Sequence, residues 1–143
     1  MESFSSNARE IMEERFGHDT LIALATIDGN KPSVRTVNGY YEDGSFYVIT
    51  HAKSDKMKQI ERNPVVAVSG DWFSAHGVGE NLGWFRKSSN LALAGKLKKV
   101  FETWIDNGHN DFNDENTCIL RIRLTDGVLL SHGSRIEIRF SEE

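Results

Sequence analysis

The chain has 143 residues, of which 38% are hydrophobic and 27% charged, and this balance is typical of one globular domain spanning residues 1–143. The net charge of -4 argues against a nucleic-acid partner, and no apolar run approaches the ~18 residues of a membrane helix. The N-terminus does not resemble a secretory signal, and the single cysteine, Cys118, cannot form an internal disulfide, so we expect a cytoplasmic location and no membrane partner.

The first half of the chain predicts one helix followed by three strands. The helix covers residues 7–16, where Ser5 or Ser6 caps its start and Gly17 ends it. Turn signals at residues 28–29 and 42–44 then separate strands predicted at residues 21–27, 33–41 and 45–50.

The second half alternates helices with further strands. A short helix begins after Ser54 and stops at Asn63-Pro64, and a longer helix is predicted over residues 89–106, followed by a polar loop over residues 109–116. Strands are predicted at residues 65–69, 72–82, 118–124, 127–130 and 136–140. Because most turns are short, the pattern favours an α+β chain, mainly β, built as a small antiparallel barrel with helices at its ends.

One stretch carries the strongest chemical signal, an anion site at the start of the short helix. Lys56 lies in the first turn, where a cation opposes the helix dipole, and Arg35 interrupts an apolar strand. A phosphate at the free N–H groups of the helix would account for both cations. The strands carrying Arg35 and Thr50 are joined by a tight turn, so we expect them to pair and to present both residues, with Ser54, to one anion.

The same residues have a simpler interpretation. A lysine in a first helical turn is usually solvated, and Arg35 would be unremarkable on a half-exposed strand. Composition and spacing alone leave both interpretations open.

The order of motifs around this stretch resembles the pyridoxamine 5'-phosphate oxidase-like FMN-binding split barrels, and within them the short general-stress-protein branch. The motifs are Arg35-Thr36-Val37, Phe46-Tyr47, Thr50, Ser54-x-Lys56, Ile60, Asn63-Pro64-x-Val66-Ala67-Val68 and Gly77-Val78-Gly79-Glu80. The resemblance implies an antiparallel split β-barrel that binds FMN, as a homodimer with the flavin in a cleft between subunits.

The resemblance also implies a role for each matching residue. Arg35 and Lys56 would hold the FMN phosphate, and Ser54 would cap the helix beside it. Thr36 and Val37 would offer backbone groups to the flavin ring, while Ile49 and Thr50 would line the ribityl chain and the phosphate.

Several positions depart from the family pattern. Asp55 replaces a second cation, for which Lys53 would compensate, and Trp72 replaces a glutamine that contacts the flavin. Residues 131–133 stand where relatives often carry a tryptophan, and Arg135 matches a substrate arginine poorly. Oxidation of a B6 vitamer is therefore a weak expectation.

The remaining candidates have ordinary alternatives. His51, His76 and His132 would approach the flavin or the dimer interface, or they are solvated strand and turn residues, and no histidine pairing suggests a metal. The segment at residues 84–87 would contact a ligand or simply lead into the next helix, and Cys118 is expected to be an inert core thiol.

Three functions remain at this point. The first is a flavin-dependent oxidoreductase with a small-molecule substrate, in which FMN carries the redox step. The second is a non-catalytic flavin- or nucleotide-binding stress protein. The third is a barrel that binds haem or a deazaflavin, as related split barrels do.

Overall fold

A computed structural model describes residues 5–108 and 110–140, together with the backbone of residues 2 and 3. His109, at the start of the predicted polar loop, lies outside the described residues. The elements are β1 (Glu2–Ser3), α1 (Ser6–Phe16), β2 (Thr20–Asp28), β3 (Lys31–Glu42), β4 (Ser45–His51), α2 (Asp55–Arg62), β5 (Val65–Gly70), β6 (Phe73–Trp84), a 3₁₀ turn (Ser88–Asn90), α3 (Leu91–Val100), β7 (Thr117–Ser131) and β8 (Ser134–Arg139).

The strands form one sheet that closes into a barrel. Their order is β1-β8-β7-β4-β3-β2-β5-β6, and β6 also pairs with β7, so that the six strands β2 to β7 make a closed ring. The pairs within this ring are antiparallel, and β1 runs parallel to β8 outside it. The prediction of a mainly β, antiparallel barrel with helices is confirmed.

The local signals for the first helix and the first turns are also confirmed. The Ser5 hydroxyl accepts a hydrogen bond from the Ala8 N–H at 3.2 Å, which caps α1, and the Gly17 N–H donates to the Glu13 carbonyl at 2.8 Å. In the turn between β3 and β4, Gly44 has a φ of 86°, a backbone conformation that favours glycine.

The strands that carry Arg35 and Thr50 pair as predicted, but only over a short stretch. β3 and β4 are hydrogen-bonded neighbours only from Tyr40–Tyr47 to Glu42–Ser45, close to their shared turn. Beyond that point β3 continues beside β2, and β4 continues beside β7. The two strands therefore separate, and an open edge of β3 faces an opening in the barrel wall.

Two hydrophobic clusters lie on opposite sides of the barrel wall. The interior cluster includes Phe16, Leu24, Phe46 and Ile122, all nearly inaccessible to solvent. The second cluster packs α3 and the segment after it against the outer surface, and its buried members are Phe85, Ala94, Leu97, Phe101, Ile105 and Ile119. Successive side chains of β7 point to opposite faces of the sheet, so this one strand contributes buried residues to both clusters.

The boundaries of two predicted elements were wrong. The helix predicted over residues 89–106 ends at Val100, although Phe101 and Ile105 stay buried in consecutive turns. The apolar period continues beyond the regular helix, and in these turns the Trp104 indole donates to the Asp19 carboxylate at 2.9 Å. The strands predicted at residues 118–124 and 127–130 form the single strand β7.

In the part of the chain that the structure describes, no helix has both the length and the apolar character needed to cross a membrane.

Candidate anion-binding site

Helix α2 closes one end of the barrel and positions the site. Its Met57 and Ile60 side chains are buried in the interior cluster. Gly79 of β6 permits this approach, because a Cβ at that position would stand 2.9 Å from the Ile60 side chain. The first turn of α2 is thereby fixed against the interior of the barrel.

Lys56, on that first turn, points toward β4. Its ammonium donates a hydrogen bond to the Thr50 hydroxyl at 2.6 Å, and Thr50 itself is buried. Burial lowers the pKa of Lys56, and the positive charge of Arg35 lowers it further. The cation is therefore held where its own charge is disfavoured.

Ser54 occupies the N-cap position of α2, as predicted, but its hydroxyl does not cap the helix. The oxygen is buried, and among the described residues it has no hydrogen-bond partner. A buried hydroxyl without a partner costs free energy, on the order of 1–3 kcal/mol. This oxygen is therefore available to a group that the chain itself does not supply.

Arg35 reaches the same region from β3, on the strand face opposite to Thr36. Its guanidinium donates to the Thr26 hydroxyl at 2.7 Å and to the Gln59 side-chain oxygen at 3.1 Å. It also donates to the Ser33 hydroxyl at 3.2 Å. All of these acceptors are neutral, so they orient the guanidinium without balancing its charge.

The electrostatics of Arg35 are set by burial and by one carboxylate. Desolvation lowers its pKa, and the nearby charge of Asp55 raises it in part. Asp55 is exposed, whereas Lys56 is half-buried beside Arg35. Within the described residues, neither cation forms an ion pair, so the site retains positive charge at the N-terminus of α2.

The structure thus gathers four of the predicted residues: Arg35, Thr50, Ser54 and Lys56. Pairing of β3 with β4 does not itself bring Thr50 to Arg35, because Thr50 lies beyond the paired residues and opposite Cys118 of β7.

The other three predicted residues lie apart from this group. Thr36 is exposed, Val37 packs against the interior cluster, and Ile49 packs against the second cluster. Thr36 and Val37 lie on the part of β3 that has separated from β4. Their backbone groups therefore border the opening in the barrel wall.

Sequence analysis missed the residues that hold Arg35, namely Thr26, Ser33 and Gln59. Thr26 was a usable signal, because it is the one polar residue in the apolar run at residues 21–27. In the structure it is 1% exposed. Gln59 lies three residues after Lys56, which places the two on neighbouring positions of the helix surface.

Two of the three histidine candidates, His51 and His76, are hydrogen-bonded within the chain. His51 lies 2.9 Å from Asp114 through Nε2 and accepts the Lys53 N–H through Nδ1, and His76 lies 2.9 Å from Asp126 on the outer wall. The hydrogen bond from His51 contributes to lowering the pKa of Asp114, after that from the Asn116 N–H.

Apart from Asp55, the departures from the family pattern lie elsewhere on the surface. Trp72 is 66% exposed and borders a cavity of about 470 Å³ together with His132. Both have left-handed backbones, with φ of 54° and 50°. Arg135 pairs with Glu137 on β8 at 2.9 Å.

Two remaining candidates are structural. Cys118 is buried, and burial raises its pKa to about 11, as expected for an inert thiol. Phe85 is fully buried in the second cluster, and the Trp84 indole donates to the Phe112 carbonyl at 2.9 Å. Across residues 5–108 and 110–140, no group of three His, Cys, Asp or Glu side chains is placed to hold a metal ion.

Comparison with solved structures agrees with this architecture. General Stress Protein 26 from Bacillus anthracis superposes with a TM-score of 0.68 at 19% identity, covering 90% of this chain and 97% of that one. An FAD-binding protein from Mesorhizobium loti gives 0.66 at 15% identity, with coverage of 82% and 90%. A haem-binding protein from Mycobacterium smegmatis gives 0.64 at 12% identity, with coverage of 86% and 54%.

The sequence itself identifies the family. No curated protein matches the chain significantly. The pyridoxamine 5'-phosphate oxidase family profile, in contrast, matches residues 8–120, which include the barrel from β2 to β6 and the whole anion-binding site. The chain therefore belongs to the pyridoxamine 5'-phosphate oxidase family.

Proposed function

We propose that this protein binds FMN and that Arg35, Lys56 and the N-terminus of α2 hold its phosphate. One observation carries the proposal. Two cations share a partly buried region in which neither is paired with a carboxylate of the described chain, and the unpartnered Ser54 hydroxyl lies at the same helix terminus.

A phosphate fits this combination of groups. Its oxygens accept hydrogen bonds from ammonium, guanidinium, hydroxyl and free backbone N–H donors at once. Binding would place a negative charge beside Lys56, whose pKa burial and the charge of Arg35 now lower, and would give the Ser54 hydroxyl an acceptor. The donor set thus matches a phosphate ester rather than a neutral ligand.

The opening beside β3 is suited to the flavin ring. Where β3 has left β4, the backbone groups that point away from β2 have no β4 neighbour. Because hydrogen-bonded and non-hydrogen-bonded pairs alternate along the β2–β3 ladder, one of Thr36 and Val37 bonds β2, and the other can bond the polar edge of the isoalloxazine. Ile49 lies on the strand across this opening. When bound, FMN supplies hydride or electron transfer, and the chain binds and orients it.

We further propose a homodimer in which a second copy covers this opening. An outer apolar face, formed by Leu21, Ala25, Val34, Val65 and Ala67 on β2, β3 and β5, supports the proposal. Leu21 is 64% exposed, Val34 69% and Val65 50%. A contiguous apolar face of this kind on adjacent strands is typical of an interaction surface.

The dimer has a direct test. Sedimentation of the wild type should give twice the chain mass of 16.2 kDa, and Val34→Glu should shift it to the monomer. Leu91→Glu is the matched control, because Leu91 is 61% exposed on α3, outside the outer apolar face. A monomeric wild type at micromolar concentration, with and without FMN, would refute the proposed dimer.

Two alternatives for the function differ in their spectra. The haem-binding structural neighbour favours haem as the second candidate ligand, and a Soret band in the purified protein would support it. Flavin instead gives absorbance near ~450 nm. Reduction of that flavin by NADH or NADPH would distinguish an oxidoreductase, which we propose, from a non-catalytic flavin-binding protein.

The phosphate proposal is tested by removing each cation. Arg35→Ala and Lys56→Ala should each weaken FMN binding by at least ~1.5 kcal/mol, the low end for hydrogen bonds to charged groups, which is roughly tenfold in Kd. Lys96→Ala is the control, because Lys96 lies on α3 and pairs with Glu42 outside the anion-binding site. FMN affinity that survives both substitutions would contradict the proposal.

A further inference from the structure

The buried face of β2 contains a polar group that the fold alone does not require. Thr26 is 1% exposed and follows Ile22 and Leu24 along the inward-facing row of the strand. A hydroxyl among these side chains costs stability unless it is hydrogen-bonded. Its hydrogen bonds run to Arg35 and Gln59, both belonging to the anion-binding site or its border.

The register of β2 and β3 explains why Thr26 can reach Arg35. Leu24 lies opposite Arg35, and Thr26 lies opposite Ser33, so the four residues share one face of the strand pair. The Arg35 guanidinium therefore lies along β2, with one terminal nitrogen on Thr26 at 2.7 Å and the other on Ser33 Oγ at 3.2 Å.

Gln59 completes this arrangement from the helix. Its side-chain oxygen accepts from Arg35 at 3.1 Å and from the Thr26 hydroxyl, so that one acceptor ties β2, β3 and α2 together. Because Lys56 is three positions earlier on the same helix, the contact also sets the distance between the two cations.

We propose that Thr26 and Gln59 are positioning residues of the phosphate site, which hold the Arg35 guanidinium against the N-terminus of α2. This inference rests on the proposed function. An arginine on a strand has many rotamers, and fixing one of them before the ligand arrives reduces the entropy lost on binding. Neither residue need touch the phosphate to act in this way.

The test uses paired substitutions and two ligands. Thr26→Val removes the hydroxyl at nearly constant volume, Thr26→Ser retains it, and Gln59→Leu removes the acceptor. FMN and riboflavin share the ring and ribityl chain, so the ratio of their dissociation constants isolates the phosphate contribution. Thr125→Val is the matched control, since the Thr125 hydroxyl on β7 donates to the backbone carbonyl of His76 on β6.

Thr26→Val and Gln59→Leu should each reduce the preference for FMN over riboflavin about fivefold to tenfold, the size of one lost contact to a charged group. Thr26→Ser and Thr125→Val should change it less than twofold, on the order of measurement scatter for surface changes. In an Arg35→Ala background, Thr26→Val should cause no further loss, because positioning acts through Arg35.

Two outcomes would overturn the inference. One is that the wild type prefers FMN and that Thr26→Val and Gln59→Leu leave this preference unchanged. The proposed phosphate site would then remain, and the positioning role would be refuted. The other is an equal loss in the Arg35→Ala background, which indicates a general destabilisation of the barrel. A wild type without any preference for FMN would refute the proposed function itself, and the positioning role with it.

Discussion

Two lysines, one on α2 and one on α3, differ in their surroundings. Lys96 on α3 pairs with Glu42, and the hydrogen bond to that carboxylate raises its pKa. Among the described residues, Lys56 on α2 hydrogen-bonds the Thr50 hydroxyl and pairs with no carboxylate, and burial beside Arg35 lowers its pKa. The chain balances the charge of the first lysine and leaves that of the second unbalanced.

Other polar groups near α3 follow the same rule as Lys96. The Asp19 carboxylate accepts from the Trp104 indole at 2.9 Å and from the Asn38 amide at 3.0 Å. The α3 side is thus satisfied by its own residues, as a structural region should be. The α2 end differs, because Arg35 and Lys56 form no ion pair within the described residues, and this contrast supports the ligand site proposed there.

The largest expected effect is on the α3 side and concerns stability. Phe101→Ala should lower the free energy of unfolding by ~3–5 kcal/mol, because Phe101 is fully buried in the second cluster. Urea denaturation measures this loss. The folded fraction should keep the wild-type ratio of FMN to riboflavin affinity; a changed ratio would show that the two regions are coupled.

The next effect is on binding at the α2 end. Asp55→Arg should tighten FMN by roughly threefold to tenfold, about 1 kcal/mol for an exposed charge, because it removes a carboxylate near Arg35 and adds a cation. Riboflavin affinity should not change. Glu61→Arg is the control, because it makes the same charge change at an exposed position near the C-terminal end of α2. An equal gain in FMN affinity from this control would show that the effect is long-range attraction and not a local contact.

A smaller effect should appear in the thermal stability of the ligand-free protein. The pKa of Lys56 is lowered from the ordinary 10.5, so its protonated form destabilises the fold near neutral pH. In the interval between the lowered pKa and 10.5, the folded chain has released a proton that the unfolded chain still binds. The wild type should therefore gain stability relative to Lys56→Met as pH rises through that interval.

Melting curves of the two proteins across alkaline pH measure this difference. Lys96→Met serves as the reference, since the pKa of Lys96 is raised and its pH dependence has the opposite sign. A constant difference between the wild type and Lys56→Met at every pH would show that the surroundings of Lys56 do not disfavour its charged form.

The smallest effect is predicted for the ion pair at α3. Lys96→Ala should cost ~0.5 kcal/mol, because both partners are partly exposed and water screens the pair. Chemical denaturation measures the loss at low and at high salt, and high salt should reduce it. A loss of several kcal/mol would contradict this prediction and would show that the Lys96–Glu42 pair is a major contributor to the stability of the fold.

The sequence predicted the barrel because turn signals and strand periodicity are local properties. The sequence also pointed to Arg35 and Lys56 as candidate site residues. A lysine in a first helical turn and an arginine in an apolar strand are both unusual for their positions. Thr26 and Gln59 were missed because their contacts depend on the register of β2 with β3 and on the rotation of α2. These are properties of the assembled fold.

The separation of β3 from β4 could not be predicted for a similar reason. A tight turn between two strands favours pairing along their whole length, and the divergence after Tyr40–Tyr47 depends on competition from β2 and β7 for the same edges. The end of α3 at Val100 could not be predicted either, because Leu97, Phe101 and Ile105 keep the four-residue apolar spacing of a helix through the turns that follow.

The most direct measurement of the central claim is a calorimetric titration of the wild-type protein with FMN and with riboflavin under the same conditions. If Arg35, Lys56 and the N-terminus of α2 bind the phosphate, FMN should bind at least about a hundredfold more tightly, the sum of two contacts to charged groups. Equal affinity for the two ligands would contradict the account, even though the fold would be unchanged.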